Sequence, residues 1–232
     1  MGVEDTKQNA ILLLGASGGI GASLVEYLSD RTPLILIPTY NKNQPTETSL
    51  NWVKYDSLDF DNSRAVIQEI SNQYEISMII DATGAFFASR IQNSTTHKIR
   101  DVISTNLIAP LVLAKYSQDF MQVGGKIIFL SSVVGHLELL GSSAYAASKA
   151  GLERGVISLS PEFAKTGHGI CAIRLGYMNY GMTFKIREKI RVDILRNTRK
   201  ENFLSISVLG EQILEILNIE CSDVNGKIFE IT

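Results

Sequence analysis

Short runs of β-branched and leucine residues alternate along the chain with longer segments in which apolar positions recur every three or four residues. The apolar runs fall near 10–14 (AILLL), 34–38 (LILIP), 52–55 (WVKY), 76–81 (ISMIID), 126–131 (KIIFLS), 169–174 (GICAIR) and 227–231 (KIFEI). Several show no polar alternation, as strands do when both faces of a sheet are covered. Helical periodicity falls between them, at Ile20, Leu24, Tyr27 and Leu28, at Val66, Ile67 and Ile70, and at Ile99, Val102, Ile103, Asn106, Pro110 and Leu113. It recurs through 145–163 and 205–218. This alternation predicts an α/β chain with a parallel sheet of about seven strands and crossover helices on both faces. One connection breaks the rhythm: TYNKNQPTETSLN, residues 39–51, is polar, contains Pro45 and has no apolar stripe, so no full crossover helix is expected there.

Size and composition narrow the class. At 232 residues, 45 % apolar and 20 % charged, the chain reads as a single domain, 1–232, with one large core. A net charge of −2 gives no overall attraction to nucleic acid or to an anionic membrane. Cys171 and Cys221 sit among apolar neighbours, where a reduced thiol is the usual state, and His97, His136 and His168 lack metal-ligand spacing. No apolar run approaches the roughly 20 residues that span a bilayer. The opening MGVEDTKQN has no basic n-region, so a cytoplasmic protein is expected.

LLLGASGGIGASL follows the first strand and opens a helix. Without side chains at Gly15, Gly19 and Gly21, a loop turns tightly, lets a pyrophosphate approach the backbone, and leaves helix N-terminal amides facing the phosphates. A plain strand-to-helix turn uses glycines too. The spacing fits GxxxGxG through Gly15, Gly19 and Gly21, and also GxxGxxG through Gly15, Gly18 and Gly21, and nicotinamide and flavin cofactors both use such loops.

YAASK, residues 145–149, puts Tyr145 and Lys149 one turn apart on one face of a helix starting near Ser143. An ammonium so placed is expected to favour the phenolate and ready Tyr145 for proton transfer. Ser132 closes the fifth strand, at the carboxyl edge where open parallel sheets bind ligands, and is placed to hydrogen-bond a substrate oxygen. Each residue alone also suits a duller role, a surface pair or a strand-end cap.

Taken together, GASGGIG, Asn106 and SSVVGHLELLGSSAYAASK resemble the short-chain dehydrogenase/reductase family in its compact form, including members similar to 3-oxoacyl-carrier-protein reductases; the likeness runs from about residue 9 to the end. It implies a Rossmann-type, doubly wound sheet and hydride transfer by a nicotinamide cofactor. By that likeness Tyr145 is the acid/base, Lys149 holds the nicotinamide ribose, Ser132 orients the substrate carbonyl and Asn106 is the fourth catalytic position. Cofactor contacts are expected at Gly15, Ser17, Gly19, Ile20 and Gly21, at Thr39, Asn41 and Lys42, at Asp56 and Ser57, and at Gly84, Tyr145, Lys149 and Gly176. Asn106 also falls on the inward stripe, four residues before Pro110, which has no amide hydrogen to give its carbonyl. A helix kink there offers a carbonyl to a water relay; the alternative is a polar residue facing solvent at a bend.

The chain departs from the family pattern in places. Asp81-Ala82-Thr83-Gly84 stands where Asn-Asn-Ala-Gly is usual, which puts local sheet hydrogen bonds in question. Leu175-Gly176 replaces Pro-Gly, and the threonine that anchors the nicotinamide carboxamide aligns with Tyr180, with Thr183 as a substitute. No carboxylate follows the second strand at 38–42, and Lys42 suits a 2′-phosphate, so NADP(H) is favoured over NAD(H). Asp56 matches an adenine-binding aspartate or else opens the next helix.

Substrate choice is expected in the loop 133–144 and in a lid of about 177–205. Tyr177, Met178, Tyr180, Met182 and Phe184 suit a hydrophobic or ring-shaped substrate, or simply the packing of a lid. KIREKIRVDILRNTRK, residues 185–200, has seven basic and two acidic side chains; it reads as a solvated amphipathic helix, or as a patch for an anionic or carrier-bound substrate. His136 is placed to touch substrate or to be an ordinary loop histidine. Ala144, Ala146, Ala147, Ala150, Gly151 and Gly155 give one helix a surface of small residues, and the family likeness implies a homodimer or homotetramer. The function expected is a carbonyl reductase or secondary alcohol dehydrogenase. The alternatives are an NAD-dependent sugar or polyol dehydrogenase, and a non-catalytic nucleotide-binding sensor on the same fold.

Overall fold

The apolar runs form seven strands: β1 (Gln8–Leu14), β2 (Ile35–Tyr40), β3 (Val53–Lys54), β4 (Tyr74–Asp81), β5 (Met121–Ser132), β6 (Gly169–Leu175) and β7 (Ile228–Ile231). They make one sheet in the order β3-β2-β1-β4-β5-β6-β7, with every pairing parallel. The chain builds outward from β1 to β3, then crosses back to β4 and builds the other way. That reversal opens a crevice at the carboxyl ends of β1 and β4. The computed structural model describes residues 7–46, 49–178, 180 and 203–232.

Period-two alternation splits each central strand between two cores. On one face Leu12, Leu14, Ile79, Ile127 and Phe129 pack beneath α2 (Phe60–Gln73), α4 (Ala109–Phe120) and α5 (Ser143–Lys165), which contribute Ile67, Leu113, Val156 and Phe163. On the other face Ile11, Leu13, Ile80, Ile128 and Ile173 pack beneath α1 (Gly19–Ser29) and α6 (Ile206–Asn218), through Leu24, Leu28, Ile213 and Ile216. A short α7 (Cys221–Val224) precedes β7. With both faces covered, these strands carry apolar residues in continuous runs.

The polar connection forms no helix in its described residues, 41–46 and 49–52. β3 is only two residues long, and the chain turns into α2, where Asp59 Oδ1 accepts the Asn62 amide at 3.1 Å. β5 begins five residues earlier than the apolar run predicts. Ile76 pairs with Met121 but Met78 pairs with Lys126, a slip that accommodates Gly124 at φ +85. The amphipathic run at 96–120 is α3 (Thr96–Ile103), a π-helical turn (Ser104–Ile108) and α4, so the bend predicted ahead of Pro110 is a widened turn. Cys171 is buried and free; Cys221 is free and its thiol lies 3.5 Å from the Gly167 carbonyl. No helix among the described residues is long and apolar enough to cross a membrane.

Candidate active site at the carboxyl edge of the sheet

The glycine loop joins β1 to α1 in direct contact with the end of β4. Gly15 adopts φ +72, and a Cβ there would stand 2.8 Å from the Thr83 amide nitrogen. At Gly21 a Cβ would drive into the Gly15 carbonyl oxygen, so the helix seats on the loop only because both positions lack side chains. Ser17, Gly18 and Gly19 are exposed, and the N-cap Gly18 supplies no side-chain bond to the first turn of α1. The amides of that turn are available to an anionic ligand, which is the fit a dinucleotide pyrophosphate requires. Thr39, expected to touch cofactor, holds the loop: its Oγ1 accepts the Gly15 amide at 3.1 Å, and its carbonyl accepts Ser17 N at 3.2 Å.

Tyr145 and Lys149 lie on the same face of α5, with Lys149 Nζ 6.0 Å from the centre of the Tyr145 ring. Both are buried. Ser132 ends β5 and accepts the Val134 amide at 3.2 Å, fixing the 3₁₀ turn Val133–His136 that follows. The expected lowering of the phenol is not what this geometry produces. Burial raises Tyr145, opposed by a hydrogen bond with Ser132 and reinforced by the Tyr177 phenol. Lys149 is itself desolvated and pushed down to about 8, with Asp81 and Glu153 partly restoring its charge. Its ammonium donates to the Leu130 carbonyl at 2.7 Å. Desolvation outweighs a cation 6.0 Å from the ring.

Asn106 is fully buried, which removes the reading of a polar residue facing solvent. Its Oδ1 accepts the Ala85 amide at 2.8 Å, and its Nδ2 donates to the Ala85 carbonyl at 2.8 Å and to Ser148 Oγ at 3.1 Å. Ser148 Oγ in turn donates to the Tyr145 carbonyl at 2.7 Å. The side chain therefore ties the loop after β4 to the turn of α5 that carries the phenol. The unusual Asp81 does the work the sequence left unassigned in that loop. Its Oδ1 accepts both the amide and the hydroxyl of Thr83, at 2.9 and 2.6 Å, and the Ala82 amide still reaches Leu14 O at 3.0 Å. Gly84 is exposed beside this turn.

A second group of residues was missed by the sequence reading. Glu153, one turn past Lys149, has a side chain only 4 % exposed. Its carboxylate accepts Ser131 Oγ at 2.7 Å and Arg174 at 2.7 and 3.1 Å, and pairs with His136 Nε2 at 2.8 Å. Arg174 also bonds Glu230 at 2.7 Å. These bonds hold the Glu153 carboxyl below the usual range despite its burial. The i,i+4 spacing from Lys149 to Glu153 was visible in the sequence; Arg174 and Glu230, on β6 and β7, carried no such signal.

The remaining predicted residues spread along the same edge. Asn41 and Lys42 are exposed past the end of β2. Asp56 does not cap α2, since Asp59 does; its Oδ1 accepts the Leu58 amide at 3.0 Å in the turn that also holds Ser57. Ile20 is half-buried behind the loop. Gly176 follows β6, its amide bound to Ile231 O at 2.7 Å, and Leu204 N donates to Tyr177 O at 2.9 Å. Tyr180 packs against the core that faces α1 and α6. Met182, Thr183, Phe184 and the basic stretch 185–200 lie outside the described residues.

A family model described as short chain dehydrogenase matches residues 9–191, and the chain belongs to that family. It is 27 % identical to carbonyl reductase family member 4 of Danio rerio over 192 residues, 78 % of this chain and 80 % of that protein. To the 3-oxoacyl-[acyl-carrier-protein] reductase FabG of Buchnera aphidicola it is 22 % identical, over 99 % of this chain and 97 % of the relative. Among solved structures, BdcA in complex with NADPH superposes with a TM-score of 0.83 at 21 % identity, covering 97 % of this chain and 93 % of that one. The protein is an NAD(P)-dependent short-chain dehydrogenase/reductase.

Proposed function

We propose that this chain reduces a carbonyl to a secondary alcohol, and catalyses the reverse oxidation, with Tyr145 as the acid/base. One arrangement carries the reading: the Tyr145 phenol, hydrogen-bonded to Ser132 and on the same helix face as Lys149, stands at the carboxyl edge of the sheet that also bears the glycine loop. Gly15, Ser17, Gly19 and Gly21 would cradle the pyrophosphate, and Lys149 would hold the nicotinamide ribose. When bound, the nicotinamide supplies a hydride to the carbonyl carbon or takes one from the alcohol. Ser132 donates to the carbonyl oxygen while Tyr145 gives it a proton, so the oxygen becomes a hydroxyl as the carbon gains hydrogen.

NADP(H) is the favoured cofactor because exposed Lys42 follows β2 and no carboxylate stands at 39–42 to repel a 2′-phosphate. A homodimer or homotetramer in the cytoplasm completes the reading. Gly151 and Gly155 on α5 receive Leu107 and Leu111 of the same chain, while Ile108 and Ile157 stay exposed for a second copy. The decisive experiment is Tyr145→Phe, assayed with NADPH and NADH against a panel of ketones and aldehydes. The variant is expected to lose at least about 100-fold in kcat while cofactor affinity changes less than about twofold; unchanged turnover removes the proton-transfer role.

A further inference from the structure

The wall beside the phenol is made of aromatic residues that the function so far leaves unused. The Phe86 ring stands 5.0 Å from the Tyr145 ring at an interplanar angle of 87°, an edge-to-face pair. Around it pack Phe87, Tyr177, Val102, Val134, Ala144 and Tyr145, all carbon-rich. Lys149 and Arg174 are already engaged, Lys149 with Leu130 O and Arg174 with Glu153.

Phe86 is held in place from both sides. Ala85 is clamped by the paired bonds to Asn106, both 2.8 Å. Three residues beyond Phe86, the Ser89 amide donates to the Gly141 carbonyl at 2.9 Å, which joins this loop to the one that follows Ser132. Gly141 takes φ +82, and a Cβ there would stand 3.2 Å from the Ser89 backbone. A ring on so short a segment, pinned at both ends, is a fixed surface. Yet Phe86 and Phe87 stay half-exposed, so apolar area beside the reacting hydroxyl is left to be covered, and covering it is favourable.

We propose that Phe86 is a specificity-determining residue, forming a rigid wall of the substrate site beside the Tyr145 hydroxyl, and that the substrate presents a flat, uncharged aryl group next to its carbonyl. A planar group lies along a fixed aromatic wall with little ordering cost, whereas a puckered saturated ring of the same size must press against it. This rests on the reading of Tyr145 as the proton donor to substrate, and it narrows the substrate class within that reading.

The test compares acetophenone with cyclohexyl methyl ketone, of equal carbon number, in the wild-type protein and in Phe86→Leu, Phe86→Ala and Phe86→Tyr. The wild type is expected to favour the aryl ketone by at least about tenfold in kcat/KM. Phe86→Leu, which keeps apolar volume without a ring, should bring the ratio within about twofold, and Phe86→Tyr should restore it. Phe86→Leu serves where Phe86→Ala fails to fold. Equal use of both ketones by the wild type, or an equal loss for both in Phe86→Leu, overturns the proposal. Binding of the same two ketones to Tyr145→Phe loaded with NADPH, followed by ligand-observed NMR, separates the two ideas. If Tyr145→Phe keeps its turnover, the proton-donor role fails. The ratio of the two affinities, with and without Phe86→Leu, still decides whether Phe86 selects the ring.

Discussion

The glycine loop and the polar cluster beneath Lys149 lie at the same edge of the sheet and are built by opposite means. The loop is shape alone: Gly15 and Gly21 allow two stretches of backbone to touch, Thr39 ties the turn, and no side chain in it ionises. The cluster is charge brought out of water. Asp81 comes from β4, Lys149 and Glu153 from α5, Arg174 from β6, and His136 from the turn after Ser132, with three of the five buried. A shape site needs only residues close in sequence. A charge site buried this deeply needs partners from several elements, because each ion left unpaired costs several kcal/mol.

The sharpest way to break the comparison is Glu153→Leu. It strands Arg174 with only Glu230, leaves Ser131 only a 3.5 Å bond to the Lys149 carbonyl, and removes the partner of His136. A loss of about 3 to 5 kcal/mol in urea unfolding is expected, and Glu153→Gln, which keeps hydrogen-bonding atoms, should lose less. A loss as small as that of an exposed ion pair would show that the cluster contributes little.

Gly15→Ala tests the other side. A side chain at φ +72, pressed on the Thr83 amide, should cost about 1 to 3 kcal/mol. Because nothing in the loop titrates, that cost should be the same across the neutral and mildly alkaline range. A pH-dependent cost would mean that the loop and the cluster are coupled through Asp81 and Thr83.

The smallest effect is a slope. Lys149 sits at about 8 in the fold against an ordinary 10.5. Below 8 it is charged in both folded and unfolded chains, and the full burial penalty applies. Between the two values the unfolded chain holds a proton that the folded one has released, so this group makes stability rise with pH across that window. Asp81→Asn removes a carboxylate that favours the ammonium, and the rise should begin at lower pH. Urea titrations over the alkaline range read this directly; an onset that does not move would mean that Asp81 does not act on Lys149.

Much of the site was legible because its parts are local. The glycines follow a strand and open a helix within one short stretch, and the four-residue step from Tyr145 to Lys149 fixes a shared helix face whatever surrounds it. The doubtful connection at 39–51 was also legible, since a segment with Pro45 and no apolar stripe has nothing to dock on a sheet. The role of Asn106 was not. A buried amide at an inward position was predictable, but its partner, the backbone of Ala85, is 21 residues away and is chosen by how the loop after β4 lies against the π-helical turn. The lowering of the Tyr145 phenol was expected from spacing alone. It failed because spacing sets distance along a helix and says nothing of how much water the fold removes.

The amino-acid sequence by itself determined the seven strands, the covered faces of the sheet, the glycine turn and the Tyr145–Lys149 face, because these follow from periodicity and covalent geometry that act within a few residues. Tertiary structure alone decided that β5 starts at Met121, that Phe86 stands against the Tyr145 phenol, and that Glu153 gathers Ser131, His136 and Arg174. Electrostatics and packing across strands depend on distances and dielectric surroundings that exist only once the chain has closed.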